Sequence, residues 1–261
     1  MSNEARASAD EQARLRAIWE STVAALKEVV REFRITEDEL HAAGDYLDRL
    51  GKSGMSRSLV DVALAMTSIT SRDSGRSGTR PNLTGPYHAV HPVKPDGQLL
   101  EKPVGPDVPR LQLCGAVRDA VSGLPIAGAE IDFWHADHDG IYDRLGTHLR
   151  GIVVTDAEGR YAISTLLPND YSEHDRDPVG ELFRAMGRTN TRAAHVHVRI
   201  SVGGKLCLTT QVFMSTSRML QYDYVEGAVS DDLTVLLERL PGKEVPVYAG
   251  RFDFAVAEGT K

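Results

Sequence analysis

The chain has 261 residues, 41% of them hydrophobic and 26% charged, which is typical of a globular protein with one large domain or a domain and an appendage. Its formal net charge of -7 gives no electrostatic reason to expect a nucleic acid or an anionic membrane surface as partner. The N-terminal segment lacks an apolar stretch of signal-peptide length, and no run approaches a membrane span, so we expect a cytoplasmic protein.

The chain contains two cysteines, Cys114 and Cys207, and each lies within an apolar run that is typical of a strand. We expect two buried free thiols in a reducing compartment rather than a disulfide. The sequence has no CxxC pair, so structural zinc is not expected. Neither cysteine is assigned a role.

The N-terminal part of the chain has the apolar spacing of amphipathic helices. Ser8 and Glu11 have the capping-box spacing at the start of a predicted helix that ends at Phe33. The run TEDE has the same pattern and starts a second predicted helix over residues 36–50, with Gly51 ending it.

A third helix is predicted over about residues 58–69. The Gly-, Ser- and Arg-rich run SRDSGRSGTRPN, residues 71–82, then marks a border with a different architecture. We therefore predict an N-terminal α-helical domain over residues 1–80 and a second domain over residues 81–261. The helical segment carries no cluster of metal ligands, and such a segment most often covers a core or forms an oligomer interface.

Beyond an extended connector that reaches Pro109, the apolar pattern changes to that of strands. Short strand-like runs separated by glycine-containing turns cover residues 111–117, 129–135, 149–156, 159–165, 193–201, 206–213 and 247–256. Strands at this spacing, with few helical patterns between them, predict an antiparallel β-sandwich. The predicted fold class is therefore mostly β, with the sandwich following the helical domain.

The run RAAHVHVRI contains two histidines in an apolar setting. Successive side chains of a strand alternate between its faces, so His195 and His197 are expected on one face and Val196 and Val198 on the other. Two buried imidazoles need polar partners, and one metal ion can serve both. For an isolated HxH pattern, the alternatives are a surface pair of histidines or a buried histidine whose hydrogen bonds are satisfied within the protein.

Two tyrosines offer oxygen ligands for such a metal. Tyr142 and Tyr171 each follow a strand-like segment and lie among polar loop residues, where an aromatic ring has little core to fill. The pKa of a phenol, about 10, would be lowered strongly by a ferric ion. Two phenolates and two imidazoles suit Fe(III) better than zinc. Spacing alone does not exclude that either tyrosine simply packs against the sandwich.

These residues occur in segments that resemble the intradiol ring-cleavage dioxygenases, in the branch of catechol, chlorocatechol and hydroxyquinol 1,2-dioxygenases. The matching segments follow the family's order: LTGPYHAV, GLPIAGAEIDFWHADHDGIYD, HLRGIVVTDAEGRYAISTLLPNDY, DPVGELFRAMGR, RAAHVHVRI and TTQVF. The first 80 residues also resemble the family's N-terminal helical domain.

The resemblance implies a non-haem Fe(III) centre with two tyrosine and two histidine ligands, which fall here on Tyr142, Tyr171, His195 and His197. It further implies three catalytic roles. Tyr171 would be the displaceable ligand that accepts a diol proton, Arg192 would stabilise negative charge on the substrate ring, and Gln211 would orient an iron ligand or a substrate oxygen.

The implied reaction inserts both atoms of O2 into an aromatic ortho-diol of the catechol or hydroxyquinol type and gives a cis,cis-muconate or a maleylacetate-type product. Leu83, Pro86 and Tyr87 match the family's pocket-lining segment and, with Arg192, would bind the substrate. His88 and His91 stand where apolar residues are more usual in the family. We hypothesise that Tyr87 and these histidines widen tolerance for hydroxylated rings.

By the same resemblance we expect a homodimer formed through the helical domain, with a lipid bound at the dimer interface. Two other interpretations stay open. The segment GLPIAGAEIDFW also resembles transthyretin-like sandwiches, which bind ligands without catalysis. A zinc-dependent HxH hydrolase is disfavoured because no carboxylate ligand or general base stands at a convincing spacing.

Overall fold

The computed structural model describes residues 8–257, and the chain divides into two compact units. The first unit ends at Gly54 and the second begins at Met55, so the predicted third helix belongs to the second unit. The predicted boundary at residue 80 stays a prediction about functional domains. In the described part of the chain, no helix is both long enough and apolar enough to cross a membrane.

The first unit contains helices α1 (Ala9–Phe33) and α2 (Glu37–Ser53). Both predicted capping boxes are present, at Ser8 with Glu11 and at Thr36 with Glu39. In each, the side chain of the cap residue accepts from the main-chain N–H of the glutamate, and the glutamate carboxylate accepts from the main-chain N–H of the cap residue. The prediction that Gly51 ends α2 is wrong. The helix continues to Ser53 and is capped by Gly54, which has a φ of 75° and a main-chain N–H that reaches the carbonyl of Leu50. Glycine adopts this left-handed conformation at little cost.

Helix α1 presents an exposed apolar stripe. None of its residues is buried, and Trp19 and Phe33 are 67% and 69% exposed. The other exposed members of the stripe are Leu15, Ile18, Leu26 and Val29. A stripe of this size on a helix is typical of a surface that another apolar surface covers.

The second unit contains two α-helices, one short 3-10 helix (Asp231–Leu233) and twelve strands among the described residues. The helices are α3 (Ser56–Arg72) and α4 (Pro178–Ala185). The strands are β1 (Arg110–Asp119), β2 (Glu130–Trp134), β3 (Arg150–Val154), β4 (Arg160–Leu166), β5 (Tyr171–Ser172), β6 (Thr191–Arg192), β7 (His195–Val202), β8 (Lys205–Met214), β9 (Thr234–Val235), β10 (Leu237–Arg239), β11 (Val247–Arg251) and β12 (Phe254–Val256).

The longer strands form two sheets that share one core. One sheet has the order β10-β11-β1-β12 with β4 also paired to β1, and the other has the order β3-β2-β7-β8-β9. Strands β5 and β6 form a separate two-stranded ribbon. The mostly β class with an N-terminal helical region is confirmed. Three of the strand pairs, β1 with β11, β1 with β12 and β8 with β9, are parallel rather than antiparallel.

The alternation along β7 fixes which side chains enter the core. Val196, Val198 and Ile200 are fully buried in the cluster between the sheets, where they meet Phe133 of β2 and Val212 of β8. The intervening residues of β7 therefore lie on the opposite face of the sheet. This face is covered by loops rather than by the second sheet.

Alternation also corrects one prediction from the sequence. Cys114 is exposed, because its neighbours Leu113 and Gly115 take the buried positions of β1. Cys207 is buried, and both thiols are free.

The predicted strand over residues 247–256 is two strands, β11 and β12, separated at Phe252 and Asp253.

Gly115 provides a test of this packing. A methyl group on its Cα would overlap the carbonyl oxygen of Phe252, whose main chain is bonded to Cys114. We predict that Gly115→Ala lowers the free energy of unfolding by about 2–3 kcal/mol, because paired strands hold both sides of the overlap in place. Urea unfolding followed by circular dichroism measures this loss.

Gly105→Ala is the matched control, since a methyl group there meets only the side chain of Val108, at 3.8 Å. We expect it to change the free energy of unfolding by less than about 0.5 kcal/mol. Equal effects of the two substitutions would contradict the close approach of β1 to the segment between β11 and β12.

Candidate functional site

The structure brings the four predicted metal ligands into one buried cluster. His195 and His197 lie on β7, Tyr142 lies in the loop after β2, and Tyr171 opens β5. The Tyr142 hydroxyl is 3.1 Å from the Tyr171 hydroxyl and 3.0 Å from Nε2 of His197, and the two Nε2 atoms are 3.1 Å apart. Each of the four side chains is at most 8% exposed.

One metal ion fits this arrangement. Ligand atoms bonded to the same ion at about 2.0–2.2 Å and at right angles lie roughly 3 Å from one another. Neighbouring donor atoms in the cluster, taken from Tyr171 through Tyr142 and His197 to His195, are 3.0–3.1 Å apart. The Nδ1 of His195 donates to the carbonyl of Ala193 at 2.6 Å, so its Nε2 keeps a lone pair directed at the cluster.

The ring of His197 is held by packing. Its Nδ1 is buried and has no hydrogen-bond partner among residues 8–257. The indole of Trp134 stacks on the ring with an interplanar angle of 3° and centroids 4.8 Å apart. The main chain of Gly85 also lies close, since a Cβ there would be 3.0 Å from Cε1 of His197. Gly85 has a φ of 71°, so the close approach and the backbone conformation both favour glycine.

Burial sets the charge of these groups. It raises the pKa of Tyr142 and of Tyr171 above the ordinary value of a phenol. It lowers the pKa of His195 and of His197 well below the ordinary value of an imidazole. At neutral pH both imidazoles are therefore uncharged, which is the form that binds a metal.

The predicted catalytic residues Arg192 and Gln211 are bonded to each other beside the cluster. Nη2 of Arg192 donates to Oε1 of Gln211 at 2.7 Å, and Nε2 of Gln211 donates to the carbonyl of Leu83 at 2.9 Å. Gln211 lies opposite His197 in the pairing of β7 with β8, and Arg192 lies opposite Tyr171 in the pairing of β5 with β6. Leu83 therefore contributes its main chain to this group.

A buried carboxylate that the sequence did not indicate holds Arg192. Asp223 accepts from Nε of Arg192 at 3.1 Å and from the main-chain N–H groups of Ala193 and Val225, and both charged side chains are 3% exposed. Burial acts to lower the pKa of Arg192, but Asp223 together with Tyr171, Glu173 and Tyr224 outweighs it, so the pKa is raised above its ordinary value. Arg192 is therefore a cation fixed in direction by its partners.

The predicted pocket residues Pro86 and Tyr87 line a cavity of about 440 Å³ next to the cluster. The Tyr87 ring stacks on Tyr142 with centroids 4.3 Å apart. Its hydroxyl accepts from Arg144 at 3.3 Å and faces Glu173, which accepts from Tyr224 at 2.6 Å. Burial raises the pKa of the Tyr87 hydroxyl, and the carboxylate of Glu173 raises it further. The cavity thus has a polar wall.

Three other histidines of the second unit are engaged elsewhere. His135 is bonded to the carbonyl of Ala136 and to Thr165, and burial lowers its pKa to about 4. The Nδ1 of His148 accepts from the main chain at residues 101 and 102, and His174 pairs with Asp177. None of these bonds directs a lone pair at the tyrosine and histidine cluster.

Comparison with known proteins identifies the family. A family model described as Dioxygenase matches residues 83–257, and one described as Catechol dioxygenase N terminus matches residues 12–65. The chlorocatechol 1,2-dioxygenase of Pseudomonas sp. (strain P51) is 32% identical over 223 residues, which cover 84% of this chain and 88% of that protein. The hydroxyquinol 1,2-dioxygenase of Rhizobium sp. (strain MTP-10005) is 31% identical over 244 residues, covering 87% and 80%.

The fold agrees with this assignment. The crystal structure of chlorocatechol 1,2-dioxygenase from Pseudomonas putida matches with a TM-score of 0.80 and 29% identity, over 94% of this chain and 99% of that one. The dioxygenase model spans more than half of the chain, and the relatives align along most of their own length. The chain is therefore an enzyme of the intradiol ring-cleavage dioxygenase family.

Proposed function

We propose that this enzyme cleaves aromatic ortho-diols at a non-haem Fe(III) ion held by Tyr142, Tyr171, His195 and His197. The reaction inserts both atoms of O2 between the two hydroxylated ring carbons. The observation that carries the proposal is the convergence of two phenol oxygens and two imidazole nitrogens, all buried, at spacings of 3.0–3.1 Å.

The chemistry of the donor set fits a ferric ion. Phenolate is a hard oxygen donor, and none of the four converging atoms is a thiolate or a carboxylate. When bound, the ion supplies Lewis acidity, which draws electron density from a coordinated diol and makes its ring reactive towards O2. The lack of a carboxylate in the cluster also disfavours a zinc hydrolase.

Tyr171 is the ligand best suited to give way to a substrate and to accept a proton from a diol hydroxyl. It lies on a strand of two residues, whereas His195 and His197 lie on a strand of eight residues at the centre of a sheet. Displacing its ring therefore disturbs fewer main-chain bonds. If a diol took its place at the ion, the phenolate oxygen of Tyr171 would be free to accept a proton from a diol hydroxyl.

Arg192 and Gln211 would orient the substrate. The guanidinium keeps its charge at every working pH and is aimed by Asp223, so it can stabilise negative charge that develops on the ring. Gln211 links Arg192 to the segment of Leu83 that precedes the cavity wall. These partners keep the cation and that wall in one rigid group.

The polar wall of the cavity favours diols with a further ring hydroxyl. A third hydroxyl near Tyr87 could exchange hydrogen bonds with the Tyr87 hydroxyl, with Arg144 or with Glu173. A chlorine or an unsubstituted ring would leave these groups without a polar partner from the substrate. We therefore propose a substrate of the hydroxyquinol type ahead of catechol, with a maleylacetate-type product.

The exposed apolar stripe of α1 supports a homodimer formed through the helical region, with a lipid in the groove between the two copies.

The non-catalytic transthyretin-like sandwich is the other candidate function. Such a module would have no use for two tyrosines and two histidines buried around one point, so no observation favours it.

The iron site is tested by removing one oxygen ligand. We predict that Tyr171→Phe abolishes the visible tyrosinate absorption due to this residue and lowers the rate of ring opening at least about 100-fold, since a proton acceptor and a ligand are lost. Iron per chain, the visible spectrum and oxygen uptake are the measurements.

Tyr161→Phe is the control, because Tyr161 is also a buried tyrosine but donates to the carbonyl of Phe252, in the sandwich core. It should lose about 1 kcal/mol of stability and keep its iron and colour. A colourless wild-type protein containing stoichiometric zinc would contradict the ferric site.

The substrate preference is tested on the polar wall. We predict that Tyr87→Phe lowers kcat/KM for hydroxyquinol about 10-fold more than for catechol, because it removes one hydrogen bond to the third hydroxyl. Oxygen uptake with catechol, chlorocatechols and hydroxyquinol measures this ratio. If the wild-type enzyme turned over catechol far faster than hydroxyquinol, the proposed preference would be wrong.

The pair of Arg192 and Asp223 is tested through stability. We predict that Asp223→Ala lowers the free energy of unfolding by about 3–5 kcal/mol, because it leaves a buried guanidinium without a counter-charge. Glu158→Ala removes a partner of the exposed Arg160 and should cost less than about 1 kcal/mol. Chemical unfolding compares the two, and a loss at Asp223 as small as that at Glu158 would refute the buried pair.

A further inference from the structure

A chain of polar side chains, buried at one end and partly exposed at the other, lies against Trp134, outside the tyrosine and histidine cluster. It runs from Arg150 through His91 and Asp132 to His88, with Arg199 at its far end. The Arg150 residue is 1% exposed and the His91 side chain 0%. Burying so many polar groups is costly unless each hydrogen bond is made, so their arrangement needs an explanation.

Arg150 bonds the main chain on both sides of the aromatic pair Tyr87 and Tyr142. Its Nη1 donates to the carbonyl of Tyr87 at 2.6 Å, and its Nε donates to the carbonyl of Asp143, which follows Tyr142, at 2.8 Å. The guanidinium carbon lies 5.9 Å from the centre of the Tyr142 ring. One side chain thus holds the cavity wall and the loop of a proposed iron ligand together.

The proton positions of His91 follow from its neighbours. A guanidinium only donates, so Nε2 of His91 must accept from Nη1 of Arg150, at 3.1 Å. The proton of the neutral ring is then on Nδ1, which donates to Asp132. The other oxygen of Asp132 is 2.9 Å from Nε2 of His88. The charge of Asp132 therefore orients His91, and His91 orients Arg150.

The same proton positions argue against a metal ion in this chain. Ligand atoms of His88, His91 and Asp132 lie within 4.8 Å of one another, which is close enough for one ion. Binding at Nδ1 of His91 would move its proton to Nε2, where it would face an N–H of Arg150. Arg199 adds a second cation next to His88. Two guanidiniums beside the three ligands oppose a further positive charge.

We propose that His91 is a positioning residue: together with Asp132 it fixes the guanidinium of Arg150, and Arg150 fixes the main chain at Tyr87 and next to Tyr142. The proposal rests on the proposed function, because it assigns both tyrosines to the catalytic site. It gives His91, whose side chain is fully buried, a role in the order of the site rather than in contact with substrate.

Two amide substitutions at His91 separate its two hydrogen bonds. The side-chain oxygen of glutamine can reach the position of Nε2, so His91→Gln can still accept from Arg150. The amide nitrogen of asparagine reaches only the position of Nδ1, so His91→Asn can still donate to Asp132 but leaves Arg150 without its acceptor. The two variants share polarity and differ in the bond that the proposal needs.

We expect His91→Asn to raise KM for the preferred diol about 10-fold with a smaller change in kcat, and to shift the visible absorption of the iron-loaded protein. His91→Gln should bring KM back to within about threefold of the wild-type value and restore the spectrum. If His91→Asn does not fold, Asp132→Asn replaces it and should raise KM in the same direction, because the charge that orients His91 is gone.

Equal KM values and spectra for wild type, His91→Asn and His91→Gln would overturn the positioning role while leaving the proposed function intact. A wild-type protein that takes up no oxygen with any diol would instead overturn the proposed function. Zinc titration of the metal-free protein gives a further result. A second tightly bound zinc ion per chain, lost in both His91 variants, would show a metal site in place of the positioning role.

Discussion

The site depends on the side-chain alternation of one central strand. In β7, Val196 and Val198 enter the core between the sheets, and this places His195 and His197 together on the opposite face. A shift of the strand by one residue would put the imidazoles into an apolar core and the valines among polar loops. The hydrophobic core therefore fixes where the two histidines meet, independently of the segments that carry the two tyrosines.

Tyr142 comes from a loop and Tyr171 from the two-residue strand β5, and charged side chains hold both segments on the histidine face. Asp170 accepts from the main-chain N–H of Ala194 and from Ser217, so the segment that leads into Tyr171 is tied to the start of β7. Arg150, the first residue of β3, donates to the carbonyl of Asp143 and so ties the loop of Tyr142 to the sheet. Buried polar groups make these bonds necessary, since an unpaired carboxylate or guanidinium would cost several kcal/mol.

Short-range patterns predicted much of the fold, whereas contacts distant in sequence could not be read from them. The caps of α1 and α2 and the alternation of β7 depend on residues within a few positions, and they are present. Strand β5 has two residues, too few for a period. The bond of Arg192 to Asp223 joins residues 31 positions apart, and no local pattern marks Asp223 among the other aspartates. The resemblance to the family gave the order of the ligands but not these supporting charges.

The charges around the cluster are arranged in pairs. Arg192 is bonded to Asp223, Arg150 is linked to Asp132 through His91, and Glu173 faces Arg144 across the hydroxyl of Tyr87. Because a buried guanidinium without a carboxylate nearby would be costly, these pairs allow two cations, Arg150 and Arg192, to lie beside the four converging side chains. The proposed preference for Fe(III) over zinc then rests on the donor atoms themselves, two phenol oxygens and two imidazole nitrogens.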